Sequence, residues 1–179
     1  MRRFPAVFLV PVFLMSAACA LGFTPNNPGS LYTEQPSGSV PVPPGDLAVV
    51  TSVTDGDTIE VRIGSVGYRV RYIGINTPER DEVCYDEARR ANLALVGGRT
   101  VTLVAERENT DRFGRLLRYV YADGIFVNAR LIEEGWAEVV QYPPNVGFAS
   151  QFIALEQAAA AANRGCHPTG IFNDGTYER

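Results

Sequence analysis

The run Val70-Arg-Tyr-Ile-Gly-Ile-Asn-Thr-Pro-Glu79 constrains this chain more than any other stretch. Its apolar positions (Val70, Tyr72, Ile73, Ile75) read as a strand over 68–75. Pro78 then stops the ladder, because proline donates no backbone hydrogen bond and restricts the residue before it. Arg71 lies inside that strand, where a charge is costly unless it is paired or faces a polar site. Asn76, Thr77 and Glu79 crowd the strand's end. Upstream, β-type runs cover 47–53 and 58–63, and Gly64-Ser-Val-Gly67 suits a hairpin turn into the third strand.

Beyond Glu79 the spacing turns helical over 85–96, with Ala88, Ala91 and Leu95 on one face and Gly97-Gly98 as a stop. Strand patterning returns over 100–105 and 116–121, and Asp123-Gly124 turns the chain. A short helix is expected over 126–134, ended by Gly135. A longer one follows over 150–163, with Phe152, Leu155, Ala159 and Ala162 on one face. Three strands, a helix, two strands and two helices suit an α+β, mainly β class: a five-stranded OB-fold barrel with three helices.

The ends read differently. Residues 1–20 begin Met-Arg-Arg, continue through an apolar run and finish in small residues, the pattern of a secretory signal peptide. Ala18-Cys-Ala20 offers a cleavage site. Ala17-Ala-Cys19 also resembles the end of a lipoprotein signal, with Ser16 where leucine is usual, which would attach the protein to a membrane by lipid at Cys19. Both routes predict an exported protein, secreted or held in the cell envelope. Residues 21–46, rich in Pro, Gly, Ser and Asn, read as a disordered tether, 47–166 as the folded domain and 167–179 as a tail. Cys84 and Cys166 flank the first and last expected helices, and export would put them where disulfides persist, so a bond between them is expected.

Charge limits the function. The chain carries a formal −4, and loss of Arg2 and Arg3 with a signal peptide would make it more acidic. A general nucleic-acid coat needs a broadly basic surface, so any phosphate recognition here must be local. Three clusters could supply it: Thr54-Asp-Gly-Asp-Thr58, the 70–79 run, and Asp111-Arg-Phe-Gly-Arg115. Asp57, the Asn76 side-chain oxygen and the Thr77 carbonyl could give a hard cation three oxygens. Two arginines converging on one phosphoryl group would offset the charge that builds up on its oxygens as water attacks. Glu79 could accept a proton from that water or aim it, although an ordinary glutamate is a weak base at neutral pH and would need the cation's help. Taken singly, each cluster also fits an ordinary turn or surface ion pair. The single histidine, His167, stands beside Cys166 near the C-terminus and excludes a two-histidine mechanism.

Together these segments resemble the staphylococcal nuclease (thermonuclease) family. The likeness rests on Asp55-Gly-Asp-Thr58, Arg71 through Glu79, Thr110 through Arg115, Tyr119 through Gly124, Val127-Asn128 and Glu134-Gly-Trp-Ala137, all in order. It implies a calcium-dependent phosphodiesterase that cuts DNA and RNA at the 5′ P–O bond and leaves 3′-phosphates. On that likeness Asp57, Asn76 and Thr77 hold Ca2+, Arg71 and Arg115 bind phosphate and stabilise the transition state, and Glu79 acts on the attacking water. No obligate protein partner is implied, and a monomer is expected. Asn76 stands where the best-known member has aspartate, leaving the metal site one charge short. Asn76→Asp is therefore expected to tighten calcium binding, unless the Asn76 amide donates a hydrogen bond, for example to Asp57. A catalytically silent OB-fold nucleic-acid-binding module and a structural envelope lipoprotein are the other readings.

Overall fold

Alternating burial along successive strands shows where the core lies. In β1 (Asp46–Val53) Ala48 and Val50 point inward, and a bulge between Val50 and Ser52 resets the alternation so that Val53 is buried too. In β2 (Thr58–Ile63) Ile59 and Val61 face the core, and in β3 (Val66–Tyr72) Val70 and Tyr72 do so. These observations come from a computed structural model that describes residues 42–173. The expected signal peptide with Cys19, nearly all of the tether and residues 174–179 lie outside the described residues.

The strands close on one another. β1, β2 and β3 pair antiparallel in sequence, the β2–β3 hairpin turning through Gly64 and Ser65 with Ile63 opposite Val66. After the two-residue β4 (Ile75–Asn76) and α1 (Tyr85–Val96), β5 (Thr100–Val104) returns antiparallel to β1. β6 (Leu116–Ala122) pairs antiparallel with β5 and parallel with β3, setting Val70 opposite Leu116. The β1–β2–β3–β6–β5 circuit is the expected five-stranded barrel, and closure leaves its central strands no free edge. A short β7 (Ile125–Phe126) leads into α2 (Val127–Glu133), β8 (Glu138–Val139) pairs with β4, and α3 (Ala149–Ala161) packs Phe152 onto the barrel. With α1, that makes the three helices of the α+β fold.

Two local differences from the sequence expectation matter. The strand expected to run unbroken over 68–75 breaks at Ile73-Gly74, where Gly74 adopts φ +79°. The Phe152 ring lies 2.9 Å from where a Cβ on Gly74 would sit, so only glycine lets the chain turn here beneath α3. Asn128 of α2 spans the break: its Nδ2 donates to the Ile73 carbonyl while its Oδ1 accepts from the Val120 amide. Second, the fully buried stripe of α1 is Ala88, Asn92 and Val96, with Ala91 and Leu95 only partly covered. Past Cys166, residues 167–169 and 171–173 form two 3₁₀ turns, and the His167 ring packs edge-on against Phe172.

The Cys84 and Cys166 sulfurs stand at bonding distance, with their Cα atoms 5.8 Å apart, across 82 residues of chain. The chain-entropy relation gives a crosslink of that span an upper contribution of about 4.5 kcal/mol. The full chain has three cysteines. Denatured without reductant it should expose a single titratable thiol, rising to three on reduction, with a lower unfolding midpoint for the reduced protein. Three thiols before reduction would show that the pair is not joined.

Candidate active site

The acidic turn between β1 and β2 is held from outside the barrel by α1. Asn92 Nδ2 donates to the Asp55 carbonyl at 3.0 Å, and Tyr85 Oη and Arg89 Nε both donate to the Thr54 carbonyl at 3.2 Å. Asn92 Oδ1 accepts from the buried Tyr72 hydroxyl, so one amide ties the turn to the barrel interior. Within the turn Asp55 Oδ1 accepts from the Asp57 amide. Gly56 allows the close approach on which the site depends. A Cβ there would meet the Thr77 side chain at 2.7 Å.

That approach places Asp57 against the end of the 70–79 run. Asp57 is 5 % exposed, and both its oxygens are engaged. Oδ2 accepts from the Thr77 amide (2.8 Å) and hydroxyl (3.0 Å), and Oδ1 accepts from the Thr58 hydroxyl and forms an ion pair with Arg71 Nη1 at 2.8 Å. Burial pushes the Asp57 carboxyl up to about 7 despite the opposing pull of Arg71 and the Thr77 hydrogen bonds, with Asp55 adding to the rise. A carboxylate in this state is stabilised by any further positive charge.

Arg71 is the positive charge the structure supplies. Its Nη1 also donates to the Ile75 carbonyl, and its Nη2 donates to Asn76 Oδ1, each at 2.9 Å. Three oxygens, from a carboxylate, a backbone carbonyl and an amide, therefore face one guanidinium. Asn76 is buried and its remaining contact is made through Nδ2, which donates to Glu138 Oε1 at 3.0 Å. The hydrogen bond that the sequence left open is thus present, with Glu138 rather than Asp57 as its acceptor.

Glu79 and Arg115 complete the constellation. Partial burial raises the Glu79 carboxyl above the ordinary glutamate range, reinforced by Asp55 and Glu82 and opposed by Arg71 and Arg115. Both arginines thus act electrostatically on one carboxylate, although β3 and the loop before β6 carry them. Arg115 is aimed by Asp111, whose Oδ1 accepts from the Phe113 and Arg115 amides and whose Oδ2 accepts from Arg115 Nε at 2.6 Å. Burial alone would raise the Asp111 carboxyl, but these contacts with Arg115 bring it below its usual value. Among the described residues, the terminal nitrogens of Arg115 carry no hydrogen bond.

Asp57, Arg71, Asn76 and Thr77 are thus brought into contact at the turn and the strand end, Glu79 follows on from them, and Arg115 stands just before β6, which pairs with β3. What sequence missed is the support: Asn92, Asn128 and Glu138, each buried and hydrogen-bonded. A lone amide in the apolar stripe of a helix, at i+4 from Ala88 and i−4 from Val96, was the available signal for Asn92. Among the described residues no three His, Cys, Asp or Glu side chains converge as a metal cluster. The donors at Asp57 and Asn76 are nevertheless hard oxygens already facing a cation, the Arg71 guanidinium, and so fit an ion such as calcium better than a soft metal.

Residues 69–166 match the family model described as staphylococcal nuclease homologue. Over 113 residues the chain is 38% identical to the SPbeta prophage-derived endonuclease YokF and 37% identical to Endonuclease YncB, both of Bacillus subtilis (strain 168). Those alignments cover 59% of this chain but 38% and 54% of the respective relatives, so the chain spans about half or less of their length. It is 32% identical over 126 residues to the Thermonuclease of Staphylococcus intermedius, covering 67% of this chain and 73% of that one. With the barrel, the acidic turn and the paired arginines in place, the chain belongs to the staphylococcal nuclease homologue family.

Proposed function

We propose that this protein is a nuclease, an endonuclease hydrolysing the phosphodiester bonds of DNA and RNA with calcium, and that it acts outside the cytoplasm. The observation that carries the reading is Arg71, held 2.8 Å from the buried Asp57 and 2.9 Å from Asn76 Oδ1, with Glu79 following on the same strand end and Arg115 held by Asp111 just before β6, the strand that pairs with β3. The matched relatives are named endonucleases and a thermonuclease, which supports the same reaction class.

The chain's own groups suit each part of that reaction. Arg115, fixed through Nε by Asp111, offers its two terminal nitrogens as a fork for phosphate oxygens. Arg71 brings a second guanidinium, and together they offset the charge that accumulates as water attacks phosphorus and the 5′ P–O bond breaks, leaving a 3′-phosphate. Glu79 accepts a hydrogen bond from the attacking water, and its raised carboxyl makes it a better proton acceptor than a free glutamate. Asp57, Asn76 and Thr77 are the residues that would hold calcium, which when bound supplies Lewis-acid charge at the phosphoryl group. With Asp57 as the only carboxylate in that set, affinity is expected in the range of weak calcium modules, about 10⁻⁴–10⁻³ M. An ion at these oxygens and the present contacts of Arg71 compete for the same lone pairs.

Digestion of single- and double-stranded DNA and of RNA by the purified protein, with calcium and with a chelator, tests the activity. Cleavage that appears with calcium and disappears with chelator is expected. Absence of cleavage under both conditions would favour the silent binding module. Arg115→Ala and Glu79→Gln should each lower kcat by about 10²–10⁴-fold with little change in melting temperature. Arg71→Ala should do the same to kcat but also destabilise the fold, on the order of 3 kcal/mol, because it strands the buried Asp57 carboxylate. Calcium should then raise the melting temperature of Arg71→Ala more than that of wild type. Equal calcium shifts in the two proteins would argue against an ion at Asp57.

A further inference from the structure

Glu138 has no role in the reaction as described, yet it is a 3 % exposed carboxylate in β8, hydrogen-bonded to a residue of the site. Burying a carboxylate is expensive, and the cost is offset only where donors meet it. The β4–β8 pairing sets Asn76 directly opposite Glu138, which brings the two side chains together. On the far side of Asn76 stands Arg71 Nη2.

This three-member line fixes the orientation of the amide by chemistry alone. A guanidinium can only donate, so it must face the amide oxygen. A carboxylate accepts, so it faces the NH2 group. With either neighbour removed, one of those requirements disappears and the amide can turn over. Turned over, it would set its NH2 group against the guanidinium, donor against donor.

From this geometry we infer that Glu138 is a positioning residue for the site: it holds the Asn76 amide so that Oδ1 faces Arg71, and thereby sets where the Arg71 guanidinium lies. The inference rests on the proposed role of Arg71 in phosphoryl transfer. The carboxylate also polarises the amide through the N–H bond, making Oδ1 a stronger acceptor than a free asparagine oxygen. The charge that Asn76 lacks beside an aspartate is supplied in part from one hydrogen bond further away. Partners of this kind, one bond removed from the acting group, commonly alter activity by about 10–100-fold.

A consequence opposes the expectation drawn from sequence for position 76. Asn76→Asp removes the donor that meets Glu138 and sets acceptor against acceptor in a buried pair. It should therefore weaken the protein rather than improve the site. The polarity of the pair can, however, be reversed. In Asn76→Asp combined with Glu138→Gln, the new amide on β8 donates to the new carboxylate on β4, and an oxygen again faces Arg71.

The test is a set of four variants in the full chain, read by thermal unfolding, by the NMR signal of the Arg71 Nε–H, and by kcat and KM on DNA. Glu138→Gln, whose carbonyl still accepts from Asn76 Nδ2 but carries no charge, should keep the Arg71 signal near its wild-type position and lower kcat less than Glu138→Leu does. Glu138→Leu should shift the Arg71 signal and lower kcat about tenfold or more, with a smaller change in KM. Asn76→Asp should lower the melting temperature, and adding Glu138→Gln to it should recover most of that loss and return the Arg71 signal towards its wild-type position. An unmoved Arg71 signal in Glu138→Leu, or an Asn76→Asp protein as stable as wild type, would overturn the inference. If the wild-type protein cleaves no nucleic acid, the proposed function fails, while the unfolding and NMR readouts still decide the arrangement of Glu138, Asn76 and Arg71.

Discussion

The buried carboxylate of Asp57 is the constraint on which the site depends. It lies in the turn between β1 and β2, yet apart from the neighbouring Thr58 hydroxyl its hydrogen-bond donors come from beyond the end of β3, at Thr77, and from within it, at Arg71. A charged group in that environment is tolerated only when its oxygens are met. The two segments are therefore locked in one relative position, so close that a Cβ at Gly56 would meet the Thr77 side chain at 2.7 Å. The acidic turn, the strand end and the barrel geometry are then aspects of one arrangement of hydrogen bonds.

Around that centre the polar side chains form a frame made largely of amides. Asn92 joins the turn to Tyr72, Asn128 bridges the break at Ile73 to β6, and Asn145 accepts from the Arg107 and Glu108 amides while donating to the Glu108 carbonyl. An amide both donates and accepts without carrying charge, so it can satisfy unlike backbone groups in places where a carboxylate or guanidinium would need a counter-ion. Where charge does enter the interior it is met by hydrogen-bonding groups: Arg71 by Asp57, Glu138 by Asn76, and Arg118 by Asn109 and the Leu117 carbonyl.

The barrel and its helices were legible because β1, β2 and β5 alternate, β6 is a nearly continuous apolar run and the helices change to their own period, all of them local signals. The break at Gly74 was not, since Ile73 and Ile75 continue an apolar pattern through it and the Phe152 ring that forces it lies in α3. The two-residue strands β4 and β8 are too short to carry a period. Asp57, Asn76, Thr77, Glu79, Arg71 and Arg115 could be picked out because reactive residue types cluster at turns and strand ends. Glu138 could not, because a glutamate between alanine and valine reads as a solvent-facing charge. Buried, it accepts from Asn76, 62 residues earlier in the chain.

The parallel pairing of β3 with β6 has a consequence for how the protein comes into being. Arg71 and Arg115 belong to segments that meet only when Val70 pairs with Leu116, after β5 has returned to β1 and the intervening helix has been laid down. No hairpin or helix made early contains both guanidiniums. Long-range pairings of this sort form late, once the entropy of closing the connecting chain has been overcome. A chain halted before that step holds both guanidiniums without bringing their strands together. The meeting of the two arginine-bearing segments thus reports the closing of the ring itself.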